Sequence, residues 1–376
     1  MKKIILLSAF IFSISLLTAQ NNSDTKVNHP QTPVPPFTYN TDSVEYDNAD
    51  KTVHLGATFS YPKGKGPFIT AVLITGSGLQ DRDENLFGHK PFAVIADYLT
   101  KKGFAILRVD DRNKGKSKGD VKNATSADFA DDVLTSINYL LQRKEVDKNK
   151  IGLIGHSEGG LMAPIVYTKW PKVAFIITLA GTGVSGAEIL FSQQTDPVKN
   201  MVNTITFDAY KVLVKKTLTE IHDHASQPDS LILNNVKKIF SDWKANEPDS
   251  ILISLNAKAA TPDLYAMQIK TELQPWLKYF IATEPSQFLE KVKCPFLALN
   301  GSKDIQVNPE QNITAIKNAL EKAGNKNVTT KIFPGLNHLF QHCTKCNVNE
   351  YKELEETFAP EVLEEMGNWL QENIKK

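Results

Sequence analysis

Short apolar runs alternate with stretches of helical periodicity along most of the chain. Such runs are typical of parallel strands that are covered on both faces, and they lie at residues 69–75, 104–109, 151–154, 173–179 and 296–299. Residues 328–333 are predicted to form a further strand. Residues 91–102 and 125–143 repeat their apolar positions at helical spacing. An earlier segment, residues 53–59, alternates more loosely and predicts an antiparallel strand. Strands alternating with helices predict an α/β fold with a mostly parallel sheet and helices on both faces.

The alternation stops between residues 183 and 291, where helical patterns occur without a convincing strand. Phe207, Tyr210, Val214, Leu218 and Ile221 recur at helical spacing within this stretch. We interpret residues 183–291 as a helical cap inserted between two parts of a core, residues 41–182 and 292–376. A separate helical domain is the alternative, and the return of strands at residue 296 favours the insertion.

The N-terminus has the pattern of a secretory signal peptide, residues 1–19. Lys2 and Lys3 precede an apolar run over residues 4–17, and Ala19 offers a small-residue cleavage site. A membrane anchor is the alternative, but the run is short for a span of about 20 residues. The mature protein is expected to have no membrane span and to be exported, either to the periplasm or outside the cell. Residues 20–40, rich in Asn, Thr, Gln and Pro, are predicted to be a flexible leader.

Composition and charge narrow the range of partners. The 376 residues are 41% hydrophobic and 23% charged, which is ordinary for a globular protein, and the net charge is +1. Such a balance provides no bulk field that favours nucleic acid or an acidic membrane. We therefore expect a small-molecule substrate and no nucleic-acid partner. The oligomeric state stays open.

The strongest chemical signal is the pentapeptide Gly155-His-Ser-Glu-Gly159. It matches the Gly-x-Ser-x-Gly pattern, in which a serine sits on a tight turn between a strand and a helix. An apolar strand precedes the pentapeptide, and small residues open a helix after it. This context predicts Ser157 as a nucleophile, whereas the pentapeptide alone would be weak evidence.

A glycine-containing loop, residues 75–83, follows the strand at residues 69–75. A loop at this place can turn a backbone N–H toward the nucleophile. Together with the N–H of Glu158, the N–H of Ser77 is predicted to form an oxyanion hole. The alternative is an ordinary glycine-rich turn.

An acid and a base are expected later in the chain, in that order. Asp304 follows the strand at residues 296–299, and His338 follows the strand at residues 328–333. His342 is the other histidine beyond Asp304, but His338 lies nearer the strand end. The sequence therefore predicts Asp304 as the acid and His338 as the general base.

Several longer motifs, in order, resemble the bacterial α/β-hydrolase carboxylesterases that are grouped with serine aminopeptidase-like and dienelactone-hydrolase-like proteins. The motifs are residues 76–84, Asp110-Asp-Arg112 with residues 115–117, residues 155–160, residues 300–307 and residues 336–341. The resemblance implies the α/β-hydrolase fold and a triad of Ser157, Asp304 and His338. One departure is Asn113-Lys114, where the family usually has Gly and a small residue.

These residues together predict hydrolysis of small acyl esters through an acyl-enzyme, with no cofactor and no metal. The cap is expected to lie over the edge of the sheet where ligands bind and to limit the substrate's size. A serine peptidase or amidase of the aminopeptidase type is the alternative, with Glu158 or Asp81 to hold a free amine. A non-catalytic binding protein would be expected to lack one member of the triad, and none is missing.

Cys343-Thr-Lys-Cys346 is a second motif with several interpretations. In an exported protein a local disulfide is favoured, followed by free thiols. A metal site is the weakest interpretation, because His342 would supply only a third ligand.

Overall fold

The computed structural model describes residues 28–375. In this part of the chain the strands form one eight-stranded sheet in the order β1-β2-β4-β3-β5-β6-β7-β8. In chain order the strands are β1 Asn40–Asp47, β2 His54–Tyr61, β3 Phe68–Ile74, β4 Ala105–Val109, β5 Val146–His156, β6 Ile176–Leu179, β7 Phe296–Gly301 and β8 Val328–Phe333. The β1–β2 and β2–β4 pairs are antiparallel, and every other pair in the sheet is parallel. The predicted mostly parallel sheet is confirmed. The predicted signal peptide lies outside the described residues.

Helices α1 Pro91–Lys101, α2 Ser126–Leu140, α3 Gly159–Lys169, α10 Ser286–Leu289, α11 Pro309–Lys322 and α12 Pro360–Asn373 belong to the same compact unit as the sheet. Local sequence fixes where two of them begin. Thr125 and Asp128 form a capping box at the start of α2, in which each side chain serves a backbone N–H of the other residue. Pro91 occupies the first turn of α1, where its missing N–H leaves no intrahelical bond unmade.

Strand β3 shows how the core is divided between the two faces of the sheet. Ala71 and Leu73 belong to the apolar cluster that α1 and α12 also build. Val72 and Ile74 instead line a small cavity with residues of α2 and α3. Since successive residues of a strand point to opposite faces, β3 is covered on both sides. This explains the continuous apolar run that predicted it.

Residues Ser185–Glu284 form a second compact unit, made of helices. It contains α4 Gly186–Thr195, α5 Thr204–Asp223, α6 Asp229–Asn246, α7 Asp249–Ser254, α8 Pro262–Ile269 and α9 Pro275–Ala282. The unit has its own apolar centre, in which the Phe240 and Tyr265 rings stack with centroids 4.7 Å apart. The sequence placed a helical insertion over residues 183–291. No helix in residues 28–375 combines the length and the apolar character that spanning a membrane would require.

The predicted flexible leader, residues 20–40, is attached to the core in its described second half. Gln31 donates from Nε2 to the carbonyl of Phe358, 2.7 Å away, and its Oε1 accepts the N–H groups of Thr357 and Phe358. Tyr39 is buried, and its hydroxyl is bonded to Asp97. Composition predicted flexibility here. Composition alone does not indicate that single side chains such as Gln31 bond to backbone groups far along the chain.

Candidate active site

Ser157 lies at the turn between β5 and α3 and has a left-handed backbone, with φ 52°. Its N–H donates to the carbonyl of Leu179 at the end of β6, 2.8 Å away. A side chain at Gly155 would place its Cβ 2.1 Å from the carbonyl oxygen of Gly159, and one at Gly159 would place it 2.2 Å from that of Ile74. The two glycines are therefore required by close packing of the turn. The strained serine stands at the carboxyl end of the strand, as the nucleophile-elbow pattern predicts.

His338 and Asp304 are in direct contact. His338 lies in the loop after β8, and its Nδ1 is 2.7 Å from Oδ2 of Asp304, which lies in the loop after β7. Both side chains are almost completely buried. The other carboxylate oxygen of Asp304 accepts the N–H groups of Gln306 and Val307 at 2.8 and 2.9 Å. The carboxylate is thus fixed in place, and because it accepts a hydrogen bond from Nδ1–H, Nε2 is the ring nitrogen of His338 that keeps its lone pair.

The loop after β3 runs directly beside Ser157. A Cβ built on Gly76 would lie 3.1 Å from the Cβ of Ser157. The next residue, Ser77, donates from its hydroxyl to Oε2 of Glu158 at 2.8 Å. Oε1 of the same buried carboxylate accepts a bond from Ser126 at 2.6 Å. The structure therefore joins the two residues whose backbone N–H groups were predicted to form the oxyanion hole, Ser77 and Glu158.

Two carboxylates at the end of β4 bond to the loop after β3. Asp110 accepts from the backbone N–H and the guanidinium of Arg82. Asp111 accepts from the N–H of Gln80 at 2.8 Å and from the hydroxyl of Thr75 at 2.9 Å. Burial raises the pKa of Asp111 to about 8. The Asp110-Asp111 segment of the resemblance is thus structural, because it anchors the loop that carries Ser77.

His342, the alternative base, is placed quite differently from His338. Its side chain is 56% exposed and is paired with Glu356 and Glu361 at 2.9 and 3.1 Å. These contacts keep it on the surface. The structure brings His338, not His342, to Asp304.

Cys343 and Cys346 are joined in a disulfide, the pairing that the sequence favoured. With Glu350 they form the one group in residues 28–375 that could offer three metal ligands. The carboxylate of Glu350, however, accepts the N–H groups of Thr344, Lys345 and Cys346. Sulfurs bonded to each other are not thiolates, and thiolates are what a metal requires, so these residues do not fit a metal site in this state.

Two buried residues at the site escaped sequence analysis. Glu84 accepts from the N–H of Gly76 at 2.7 Å, and the same oxygen is 2.9 Å from Nδ1 of His156. Nε2 of His156 is in turn 3.1 Å from the carbonyl oxygen of His338. His156 occupies a variable position of the pentapeptide, and only its place directly after a buried strand could have drawn attention to it.

Within residues 28–375, the Ser157 hydroxyl makes no hydrogen bond to another residue. Catalytic hydrogen bonds are often long before substrate binds. His156, the residue before Ser157, keeps His338 close to Ser157. It bonds to the His338 backbone, and the centroids of the His156 and His338 rings are 4.9 Å apart.

Comparison with known protein families gives a match over most of the chain. A sequence profile of the X-Pro dipeptidyl-peptidase (S15) family matches residues 18–338. The matched range includes the pentapeptide, Asp304 and His338.

A curated relative is the esterase EstD of Thermotoga maritima, which is 25% identical over 304 residues. The match covers 79% of this chain and 61% of EstD. The chain therefore spans about three fifths of the length of that relative.

Solved structures with the same fold include an esterase of Pyrococcus furiosus and the α/β hydrolase GrgF of a Penicillium species. The first has a TM-score of 0.51 at 16% identity and covers 94% of this chain and 100% of its own. The second has a TM-score of 0.53 at 14% identity and covers 90% of this chain and 100% of its own. At such identities the likeness is one of fold, and the expected α/β-hydrolase fold is confirmed.

Proposed function

The chain belongs to the X-Pro dipeptidyl-peptidase (S15) family. We propose that it is a serine hydrolase of carboxylic esters with Ser157, Asp304 and His338 as its triad. The observation that carries the proposal is the 2.7 Å bond between His338 and Asp304, together with the left-handed turn at Ser157. These features supply an oriented base and a half-buried nucleophile at the carboxyl ends of parallel strands of one sheet, where ligands bind in open α/β sheets.

In this mechanism Nε2 of His338 takes the hydroxyl proton of Ser157 as the oxygen attacks the acyl carbonyl. Asp304 keeps the ring oriented and stabilises the imidazolium that forms. The N–H groups of Ser77 and Glu158 hold the oxyanion of the tetrahedral intermediate. Collapse transfers the proton to the leaving alkoxide and leaves an acyl-enzyme. Water, activated by His338, then releases the acid and restores Ser157.

Two observations favour esters over peptides with a free amino terminus. Glu158 is buried, and both of its carboxylate oxygens accept bonds from serine hydroxyls. Asp81 caps its own turn, accepting the N–H groups of Asp83 and Asn85. The two carboxylates that the sequence offered for an ammonium group are therefore engaged elsewhere. The likeness to an esterase over 304 residues supports the same choice.

A panel of matched substrates tests this preference. We expect nitrophenyl esters to be hydrolysed faster than nitroanilides of the same acyl group, and short acyl chains faster than long ones. The panel should include aminoacyl and prolyl anilides, since the family is named for a peptidase. The Ser157→Ala variant provides the background rate for each substrate. Turnover of any anilide above that of every ester would replace the esterase by a peptidase.

We further propose that the protein acts after export, in the periplasm or outside the cell. The N-terminal pattern and the Cys343–Cys346 disulfide support this location, since disulfides persist in oxidising compartments.

Thiol counting tests the disulfide in exported material. The sequence has three cysteines, and Cys294 is a buried free thiol. Denatured, unreduced protein should therefore react with thiol reagent at one site, and reduced protein at three. The variant Cys343→Ser with Cys346→Ser is the control and should give one site in both conditions. Three reactive sites without reduction would contradict the disulfide.

A further inference from the structure

The ring of His156 lies between two hydrogen-bond acceptors. Nδ1 faces Oε1 of Glu84 at 2.9 Å, and Nε2 faces the carbonyl oxygen of His338 at 3.1 Å. A neutral imidazole donates from only one nitrogen, whereas an imidazolium donates from both. Because the ring is buried, water cannot replace either partner. The geometry therefore requires a doubly protonated His156.

Glu84 is placed to be the counterion. Its Oε1 also accepts the N–H of Gly76 at 2.7 Å. Imidazole is intrinsically the more basic partner, so the shared proton belongs on His156. Glu84 itself has a left-handed backbone, with φ 51°, which is uncommon for a residue with a side chain.

These bonds connect three loops that the proposed mechanism uses. Gly76 immediately precedes Ser77, His156 immediately precedes Ser157, and the third contact is the backbone of His338 itself. We propose that the Glu84–His156 ion pair is a positioning clamp, which holds the base and an oxyanion donor in register with the nucleophile and works only while His156 is protonated. This inference rests on the proposed triad and adds Glu84 and His156 as positioning residues.

The surroundings of His156 determine when it loses its proton. Burial lowers the pKa of His156, the charge of Glu84 and the bond to it raise that pKa, and the net direction is upward. Asp304 adds a smaller effect in the same direction, and the His338 ring is 4.9 Å away. The other groups around this pocket, from α1, β6 and the C-terminal part of the chain, are apolar: Pro91, Phe92, Ile95, Leu179, Leu339 and Phe358. Glu84 is thus the main reason that the ring stays charged.

The two neighbouring histidines must therefore be in opposite states during catalysis. His338 has to be neutral to accept a proton, and His156 has to be charged to hold it in place. Because catalysis needs both states at once, activity should have a bell-shaped dependence on pH, and it should fall on the alkaline side as His156 loses its proton. The midpoint of the alkaline limb therefore measures the pH at which the Glu84–His156 ion pair is lost.

Glu84→Gln tests the assignment through the pH profile of kcat/KM. The amide oxygen can still accept from Gly76, but the charge is gone, so burial dominates and the pKa of His156 falls. We expect the alkaline limb to move to lower pH by about one unit or more, with a smaller movement of the acid limb. The rate is measured by titrating the acid released from a short-chain ester at constant pH, after subtraction of spontaneous hydrolysis. Glu145→Gln is the matched control, since Glu145 is paired with Arg143 at 2.9 Å, and it should leave both limbs in place.

A Glu84→Gln profile that superimposes on that of the wild type would overturn the clamp. A second measurement depends neither on the Glu84→Gln variant nor on turnover. Wild-type protein labelled with ¹⁵N-histidine should show both ring nitrogens of His156 protonated near neutral pH, assigned by their loss in His156→Gln. A neutral His156 ring in that spectrum would also reject the proposal. If the assignment of the triad were wrong and that of the clamp right, fluorophosphonate labelling would survive Ser157→Ala while the spectrum of His156 stayed as expected.

Discussion

Replacement of Ser157 by alanine is expected to abolish turnover, lowering kcat by about 10⁵-fold or more. The hydroxyl is the group that forms the acyl-enzyme. A water that attacked the substrate directly in its place would be neither held in position nor deprotonated by His338. What remains should be a small residual rate from the oxyanion hole and substrate binding alone. Labelling by a fluorophosphonate, in which the serine oxygen displaces fluoride from phosphorus, should disappear at the same time.

Alanine keeps the Cβ atom, so the cost of the left-handed backbone at φ 52° is unchanged and the variant should fold. Its melting temperature should lie within a few degrees of that of the wild type. Ser43→Ala is the matched control, because Ser43 is exposed on β1, and it should keep full activity and labelling. If the Ser157→Ala protein were folded and still labelled, the nucleophile would have to be another residue.

Removal of the base should have an effect of similar size. His338→Ala deletes the group that accepts the proton of Ser157, and we expect kcat to fall by about 10⁴-fold or more. Asp304→Asn should lower it by about 10⁴-fold, because the N–H groups of Gln306 and Val307 would keep the amide oxygen. The NH₂ group would then face Nδ1 of His338, where it can only donate, and the ring would favour the wrong tautomer. Both variants keep the carbonyl of His338, so the bond from His156 can persist and the loop should stay folded.

His342→Ala is the built-in control for this prediction. It removes the same side chain four positions further along the same loop, where the ring is half exposed and paired with two surface carboxylates. Exposed ion pairs of this kind contribute about 0–1 kcal/mol, so activity should stay within about twofold of the wild type. A greater loss in His342→Ala than in His338→Ala would transfer the role of base to His342.

The sequence predicts best those parts of the molecule that local physics determines. Strand β7, Phe296–Gly301, begins at the predicted residue, because its apolar run is buried, as expected of a strand covered on both faces. The turn at Ser157 was predictable because Gly155 and Gly159, two residues away on either side, lie so close to neighbouring backbone that neither position has space for a side chain. Asp304 and His338 followed from chain order, since parallel strands bring their carboxyl ends to one edge.

Elements without an apolar signature were missed. Strand β1, Asn40–Asp47, alternates half-buried and exposed positions at the edge of the sheet, and its polar sequence resembles a loop. Strand β5 begins at Val146, five residues before the predicted start, because its first half is polar. In both cases backbone pairing with a neighbour, rather than burial of side chains, makes the strand.

The Glu84–His156 pair could not be predicted for a different reason. The two residues are separated by 72 positions, and His156 and His338 by 182. A single glutamate in a loop and a histidine beside a serine carry no periodicity that would connect them. Only the folded sheet, which brings the loops after β3 and β8 to the end of β5, reveals that they are partners.

The position of the helical unit in the chain has an evolutionary consequence. Strands β6 and β7 are parallel neighbours, with Leu179 paired to Leu299, and such neighbours need a crossover connection. All of Ser185–Glu284 lies within that single connection. Since each doubling of a loop's length adds only about 0.6 kcal/mol to the cost of closing it, the register of the sheet hardly depends on how long this segment is. Descendants of one ancestor can therefore lengthen, shorten or replace these helices while β5, β6 and β7 keep their pairing, so that this segment and the sheet diverge at independent rates.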